Sequence, residues 1–393
     1  MTGIVNWMGG WPREGLISAS DWEERLAAAA DRYRFAGSPG PAGPRWQERV
    51  KEVLSDGLLA GKTQRHPERL KLTRGADAAL QLLASRSLSE GDIVLVDRLT
   101  SRTALQIFRK AGARIEAVDG DEQGMDPGAL KRAISRHKPR LVYTAPGCSD
   151  PQGKVWSRER TRAVLAACRA ARVTALRDDR QEMLVYDDMY GGGSGSTAAA
   201  GDDRAASMQA GVLSVGQLPP GLIAGFRFGW IAGRADDLDE WLPELPLAPG
   251  AAHLDTAVLP LECQALANLL QEQPLAEHLD MLRVQCRARM RRVAELLAER
   301  PLPPPGLQWQ NPAGGMHLWL ALPPEMDSQA LLRAAWLKGL MFQPGMPYYA
   351  ADPQPNTLRI TFAGSDERQL KLGTQRLLET IGDFLGRSTY GSR

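Results

Sequence analysis

This sequence predicts an α/β protein: a mainly parallel sheet with helices on both faces, followed by a smaller α+β unit. Three observations lead there. Short apolar runs alternate with helical patterns through the first two thirds of the chain, as strand–helix–strand crossovers require. After about Asp255 that alternation gives way to one long amphipathic pattern. At 393 residues the chain also exceeds the usual size of one hydrophobic core.

Taken in order, Trp22 to Arg32 reads as a helix in an N-terminal arm. Ile93-Val94-Leu95-Val96 follows the turn pair Gly91-Asp92 and reads as a buried strand. Arg114 to Val118, Arg140 to Thr144, Met183 to Tyr186, Val212 to Val215 and Phe228 to Ala232 read likewise. Helical patterns lie between several of them, at Asp77 to Ser87, Arg102 to Ala111, Pro127 to Ser135 and Arg158 to Ala171. The Gly-, Ser- and Ala-rich stretch from Gly191 to Ser207 reads as a surface loop, because it lacks the Lys-Ser/Thr ending of a phosphate-binding loop. A helical pattern then runs from about Val258 to Arg300, with a break expected near Pro274. Prolines from Pro301 to Pro305 stop it, since proline lacks the amide proton and clashes with the preceding turn. Strands His317 to Leu322 and Leu358 to Phe362, around a helix from Ser328 to Lys338, complete the smaller unit.

Composition narrows the function classes. The formal net charge of +2, from 48 basic and 46 acidic residues, makes no electrostatic case for nucleic acid or an anionic membrane. Cys148, Cys168, Cys263 and Cys286 are widely spaced, which suggests neither a disulfide framework nor a metal site. No basic start followed by an apolar run and no long apolar stretch is present, so a cytoplasmic protein is expected.

The run Val215-Gly216-Gln217-Leu218-Pro219-Pro220-Gly221-Leu222-Ile223-Ala224-Gly225-Phe226-Arg227-Phe228-Gly229-Trp230 resembles, without a gap, a signature of the aminotransferase class I/II family. That pattern reads roughly V-G-S-F-S-K-x-L-x-P-G-x-R-x-G-W. Further ordered blocks, including Pro312 to Leu320, Gln343-Pro344-Gly345 and Leu358 to Phe362, resemble the aminotransferase domain of MocR-type proteins, without the DNA-binding domain of those regulators. The resemblance implies the type I fold of pyridoxal-phosphate enzymes, with a seven-stranded large domain over residues 46–255, a small domain over 256–393 and an arm over 1–45. A dimer is implied with it. Asp187 and Tyr190, in Tyr186-Asp187-Asp188-Met189-Tyr190, resemble the aspartate that pairs with the cofactor's pyridine nitrogen and the tyrosine that meets its ring oxygen. Arg227 matches the arginine that clamps the cofactor phosphate, and Arg359 the one that holds the substrate carboxylate. Gly75-Ala76-Asp77 falls where backbone amides wrap the phosphate, and is equally readable as an ordinary helix start.

The departures concern the same site. Pro220 stands where the resemblance places the imine-forming lysine, and proline has no amine. Gln217 and Pro219 replace the two small polar residues before it. Thr100 stands at the ring-stacking aromatic, Asp150 at the ring-oxygen asparagine, and Ser38 at the partner-phosphate tyrosine. A carboxylate facing a phenolate-like oxygen is repulsive. The resemblance therefore implies pyridoxal or pyridoxamine phosphate held without a covalent bond, or no cofactor at all. Two functions fit. One is a repurposed enzyme acting on an amino-acid-like or other carboxylate-bearing small molecule, with Tyr190, Asp150 or Cys148 as proton carrier, or with an imine relocated to Lys154. The other is a non-catalytic homologue, serving as a homodimeric ligand-binding protein or as the silent subunit beside an active relative.

Overall fold

The computed structural model describes residues 3–12, 15, 17–35, 70–186, 210–223, 225–242, 260–273, 275–299 and 304–390. Seven strands form the large sheet: β1 Leu70–Thr73, β2 Ile93–Asp97, β3 Arg114–Val118, β4 Leu141–Thr144, β5 Thr174–Asp178, β6 Val212–Gln217 and β7 Gly229–Ala232. Their order is β1-β7-β6-β5-β4-β2-β3, with β7 antiparallel to both neighbours and the remaining contacts parallel. Alternate residues of one strand face opposite sides of a sheet. Val94 and Val96 accordingly join a core with Leu80, Leu105 and Phe108, whereas Leu95 joins a second core with Leu130, Val164 and Trp156. Both faces are covered, which is why these strands read as continuous apolar runs.

A second sheet of four antiparallel strands follows, from β8 Gln308–Trp309, β9 His317–Ala321, β10 Gln343–Pro344 and β11 Thr357–Thr361, in the order β8-β9-β11-β10. Its hydrophobic cluster includes the helices Leu275–Ala298, Ser328–Leu337 and Glu367–Tyr390. The N-terminal arm belongs to this layer. Val5–Asn6 pairs in parallel with Leu340–Met341, and the fully buried Trp7 donates its indole N–H to Ser365 Oγ at 3.0 Å. No described helix is long and apolar enough to cross a membrane.

Most expected elements are present, and the expected break near Pro274 separates the helices Pro260–Glu272 and Leu275–Ala298. One expectation is corrected. Met183 to Tyr186 is not a strand of the sheet: Glu182–Leu184 is a 3₁₀ turn and Val185 makes one isolated bridge, to Gly314. Its apolar side chains are buried in the layer between the sheets, and Tyr186 donates its hydroxyl to Gly315 O at 2.7 Å. The sheet position next to β4 and β6 is taken by β5, which the sequence pattern did not reveal. The stretch 191–207 lies outside the described residues.

Backbone hydrogen bonds tie the two sheets together on opposite sides of the groove between them. Thr100 N–H donates to Tyr348 O, and Ala350 N–H to Arg98 O, each at 2.9 Å. On the other side Ala313 N–H donates to Gly153 O and Tyr186 N–H to Ala313 O, again at 2.9 Å.

Candidate active site

The carboxyl ends of the parallel strands β2, β4 and β5 point at this groove, the place where open α/β sheets bind ligands. Asp178 closes β5 and is buried. Tyr143, on the adjacent strand β4, donates its hydroxyl to Asp178 Oδ2 at 2.5 Å. Arg180, two residues past the end of β5, folds back so that its Nε donates to both Asp178 oxygens, at 2.9 and 2.8 Å. Its Nη1 reaches Asp77 Oδ1 at 2.5 Å, in the first turn of the Ala76–Ser87 helix. Burial opposes the charge on Arg180, yet Asp178 and Asp77 hold it firmly protonated, with a pKa well above the ordinary value. Burial, and then the Asp178 charge, push the Tyr143 hydroxyl well above its ordinary value.

A second ion pair lies beside the first. Arg359, on β11, donates from Nη1 to Asp150 Oδ1 at 2.7 Å, and its guanidinium lies 4.9 Å from the centre of the Tyr348 ring. Burial raises the Asp150 carboxyl, but Arg359 and then His317 outweigh it and hold the group below the usual carboxylate value. Beside this pair His317 is pushed down to about 3, by burial and by the positive charge of Arg359. The charge of Asp150, which looked repulsive in the sequence, is thus met by Arg359.

The helix start at Gly75-Ala76 is also engaged. Gly75 has φ 87° and ψ 171°, a region essentially reserved for glycine, and this aims the Ala76 N–H at Gln217 Oε1, 3.1 Å away at the end of β6. The groove lined by Asp97, Thr100, Tyr143, Cys148, Asp150, Asp178 and Arg180 retains about 10 Å³. A single water needs roughly 10–15 Å³ on that measure, so there is room for about one water.

The other expected residues are divided between this groove and two neighbouring cavities. Pro220 and the exposed Arg227 line a cleft of about 710 Å³ with Trp11, Pro12 and Phe226; the Arg227 guanidinium sits 5.3 Å from the Trp11 ring centre, while its Cβ lies 3.4 Å from where a side chain on Gly75 would stand, beside the helix start. Thr100 is buried and donates its hydroxyl to Asp97 O at 2.8 Å. Cys148 is buried, and its thiol is pushed far up by burial, then by Asp150 and Glu182. Lys154 Nζ pairs with Glu122 Oε2 at 3.1 Å and lines a cavity of about 210 Å³ with Asp97 and Trp156. Asp187, Tyr190 and Ser38 lie outside the described residues. Asp178, Arg180 and Tyr143 were missed by sequence reasoning. The available signal for Asp178 was the pair Asp178-Asp179 directly after Val173-Thr174-Ala175-Leu176-Arg177, which repeats the two-aspartate strand ending read at Asp187-Asp188. No group of side chains suited to a metal occurs among the described residues.

The architecture is that of the type I pyridoxal-phosphate aminotransferases. It matches an α-aminoadipate aminotransferase from Thermus thermophilus with a TM-score of 0.76 and 23% identity, over 98% of this chain and 94% of that one. It matches a kynurenine aminotransferase from Pyrococcus horikoshii with a TM-score of 0.78 and 24% identity, over 98% and 92%. At that identity the likeness establishes the fold alone. In sequence, the model of the aminotransferase class I and II family matches residues 44–377, and the chain belongs to that family. It is 27% identical to a 2-aminoadipate transaminase of Thermus thermophilus, over 98% of this chain and 91% of the relative. It is also 27% identical to an aromatic-amino-acid aminotransferase of Thermococcus litoralis, over 79% and 71%. An uncharacterised HTH-type transcriptional regulator of Bacillus subtilis, YisV, is 23% identical over 86% of this chain.

Among the described residues the fit to the family's pyridoxal cofactor fails at the covalent anchor, where Pro220 offers no amine, and in the space beside Asp178. Ligand pockets for small organic molecules span about 300–1,000 Å³, against the 10 Å³ left beside Asp178. None of the residues described as lining that space is a lysine.

Proposed function

We propose that this chain is a non-transaminating member of the aminotransferase family, which acts by association rather than by amino-group transfer. One observation carries the reading. Pro220 follows the strand that would present the imine-forming lysine, and it lines the Trp11 cleft rather than the space beside Asp178. Without an amine there, covalent capture of a pyridoxal aldehyde and the proton transfers that depend on it have no agent. The role supported is that of a silent subunit in a dimer, with a second copy or with a lysine-bearing relative, retaining the fold as a binding platform.

The test is a half-reaction assay on purified protein with added pyridoxal phosphate. The donors are 2-aminoadipate and aromatic amino acids, the substrates in the names of two relatives. The expected result is no oxo-acid product above a protein-free control. Enzyme-dependent product at a stoichiometric rate or faster sinks the reading.

A second reading, an enzyme with changed chemistry, draws on Asp97. Its carboxyl is raised to about 7, by burial working against the nearby Lys154, and it lines both the residual groove and the 210 Å³ cavity. A group titrating near neutrality suits general acid–base work. Native mass spectrometry distinguishes the two: a stoichiometric small molecule lost in Asp97→Asn favours the second, and bare protein favours the first.

A further inference from the structure

We propose that the groove is closed by a built-in occupant: Arg180, Gln217 and Asp150 engage the polar anchors through which a charged ligand would be held. This deepens the preceding reading and rests on it, but it makes a separate claim. The missing amine is then only part of the loss, because the site also excludes a non-covalent guest.

Three contacts from three different turns support this. Arg180, after β5, supplies the cation for Asp178 and Asp77. Gln217, ending β6, places a carbonyl oxygen on the free N–H of the Ala76–Ser87 helix, where an anion would otherwise be favoured. Asp150, after β4, supplies the carboxylate for Arg359. The last contact is incomplete as a structural bridge. Asp150 reaches only Nη1, and the buried Arg359 Nε has no acceptor among the described residues. A bidentate carboxylate would satisfy two nitrogens of that fork. The occupant therefore spans a cation, a neutral acceptor and an anion, and each faces the opposite polarity. Any entering ligand has to break buried pairs and leave charges uncompensated, which is costly in a low-dielectric site.

The experiment compares pyridoxal phosphate binding, measured by equilibrium dialysis because its aldehyde can condense with a lysine at position 220, in four proteins: wild type, Pro220→Lys, Arg180→Gln/Gln217→Ser, and the triple variant. Circular dichroism establishes folding. Wild type and Pro220→Lys are expected to show no saturation up to millimolar ligand. The folded Arg180→Gln/Gln217→Ser protein is expected to bind about tenfold tighter or better. If Pro220→Lys alone binds as tightly as the triple variant, the missing amine explains everything and the inference fails. If folded Arg180→Gln/Gln217→Ser binds no tighter than wild type, the inference fails while the non-transaminating reading stands. Should the Arg180 variants not fold, the Pro220→Lys arm decides alone: binding overturns the inference and no binding supports it. Transamination by the wild type sinks the earlier reading whatever the variants do.

Discussion

Arg180 donates through Nε to both carboxylate oxygens of Asp178, two residues earlier in the chain, and so holds the end of β5 in a closed ionic turn. The side chains are 13% and 3% exposed, so the pair is shielded from water. Removing one member leaves an uncompensated buried charge, and such losses run to about 3–5 kcal/mol. Arg180→Ala is expected to lower stability by about 3 kcal/mol. Asp77→Asn should cost far less, because Asp77 is 37% exposed and solvent screens its charge. Urea midpoints of the two variants measure the contrast, and equal losses would contradict the burial argument.

The pH dependence of stability contains two opposing contributions. His317 is held neutral down to about 3, against an ordinary value near 6.5, so the unfolded chain binds more protons between those limits. Its contribution makes the fold less stable as pH falls from about 6.5 towards 3. Asp97, raised to about 7, does the reverse. The folded chain keeps its proton from about pH 4 upward, and stability falls as pH rises towards 7. His317→Gln should therefore gain stability relative to wild type at pH 5 more than at pH 7.5. Asp97→Asn should gain at pH 7.5 more than at pH 5. Denaturation midpoints across this range check both signs, and parallel curves for all three proteins would refute the assignment.

Asp150 adds a contribution at lower pH. Its folded value is depressed, so its stabilisation is present above the unfolded carboxylate value near 4 and is lost as pH falls through the folded value. Asp150→Asn should flatten the acid limb of the stability curve. An unchanged acid limb would mean that the Arg359 contact contributes little.

Gly75 tests the helix start. A side chain there meets Arg227 Cβ at 3.4 Å and must also adopt a φ of +87°. Gly75→Ala is expected to cost about 1–3 kcal/mol through backbone strain alone. Chemical denaturation measures it, and a loss under about 0.5 kcal/mol, the scale of neutral surface changes, would show that the turn relaxes freely.

Much of the fold was legible in the sequence, because buried parallel strands are continuous apolar runs and their helices carry a clear period. β5 escaped for a physical reason. Arg177 and Asp178 interrupt its apolar run, and Arg177 is buried inside the strand, its charge answered by Asp179 at 3.1 Å. Met183 to Tyr186 misled in the opposite sense, because a short apolar run has the same pattern whether it enters a sheet or packs in an interlayer turn. Asp150 and Arg359 were each singled out, but 209 positions separate them and no local pattern announces their pairing. Arg180 carried no signal at all: its importance comes from the fold bringing Asp77 and Asp178 to either end of one guanidinium.

Whether this chain can capture the cofactor covalently is read by intact-mass spectrometry after incubation with pyridoxal phosphate and reduction with borohydride. No saturable adduct of one cofactor per chain is expected to form, leaving only the slow, graded labelling of exposed lysines that a denatured control also shows. A saturable one-per-chain adduct on a single lysine, formed only by the native protein, would contradict that expectation.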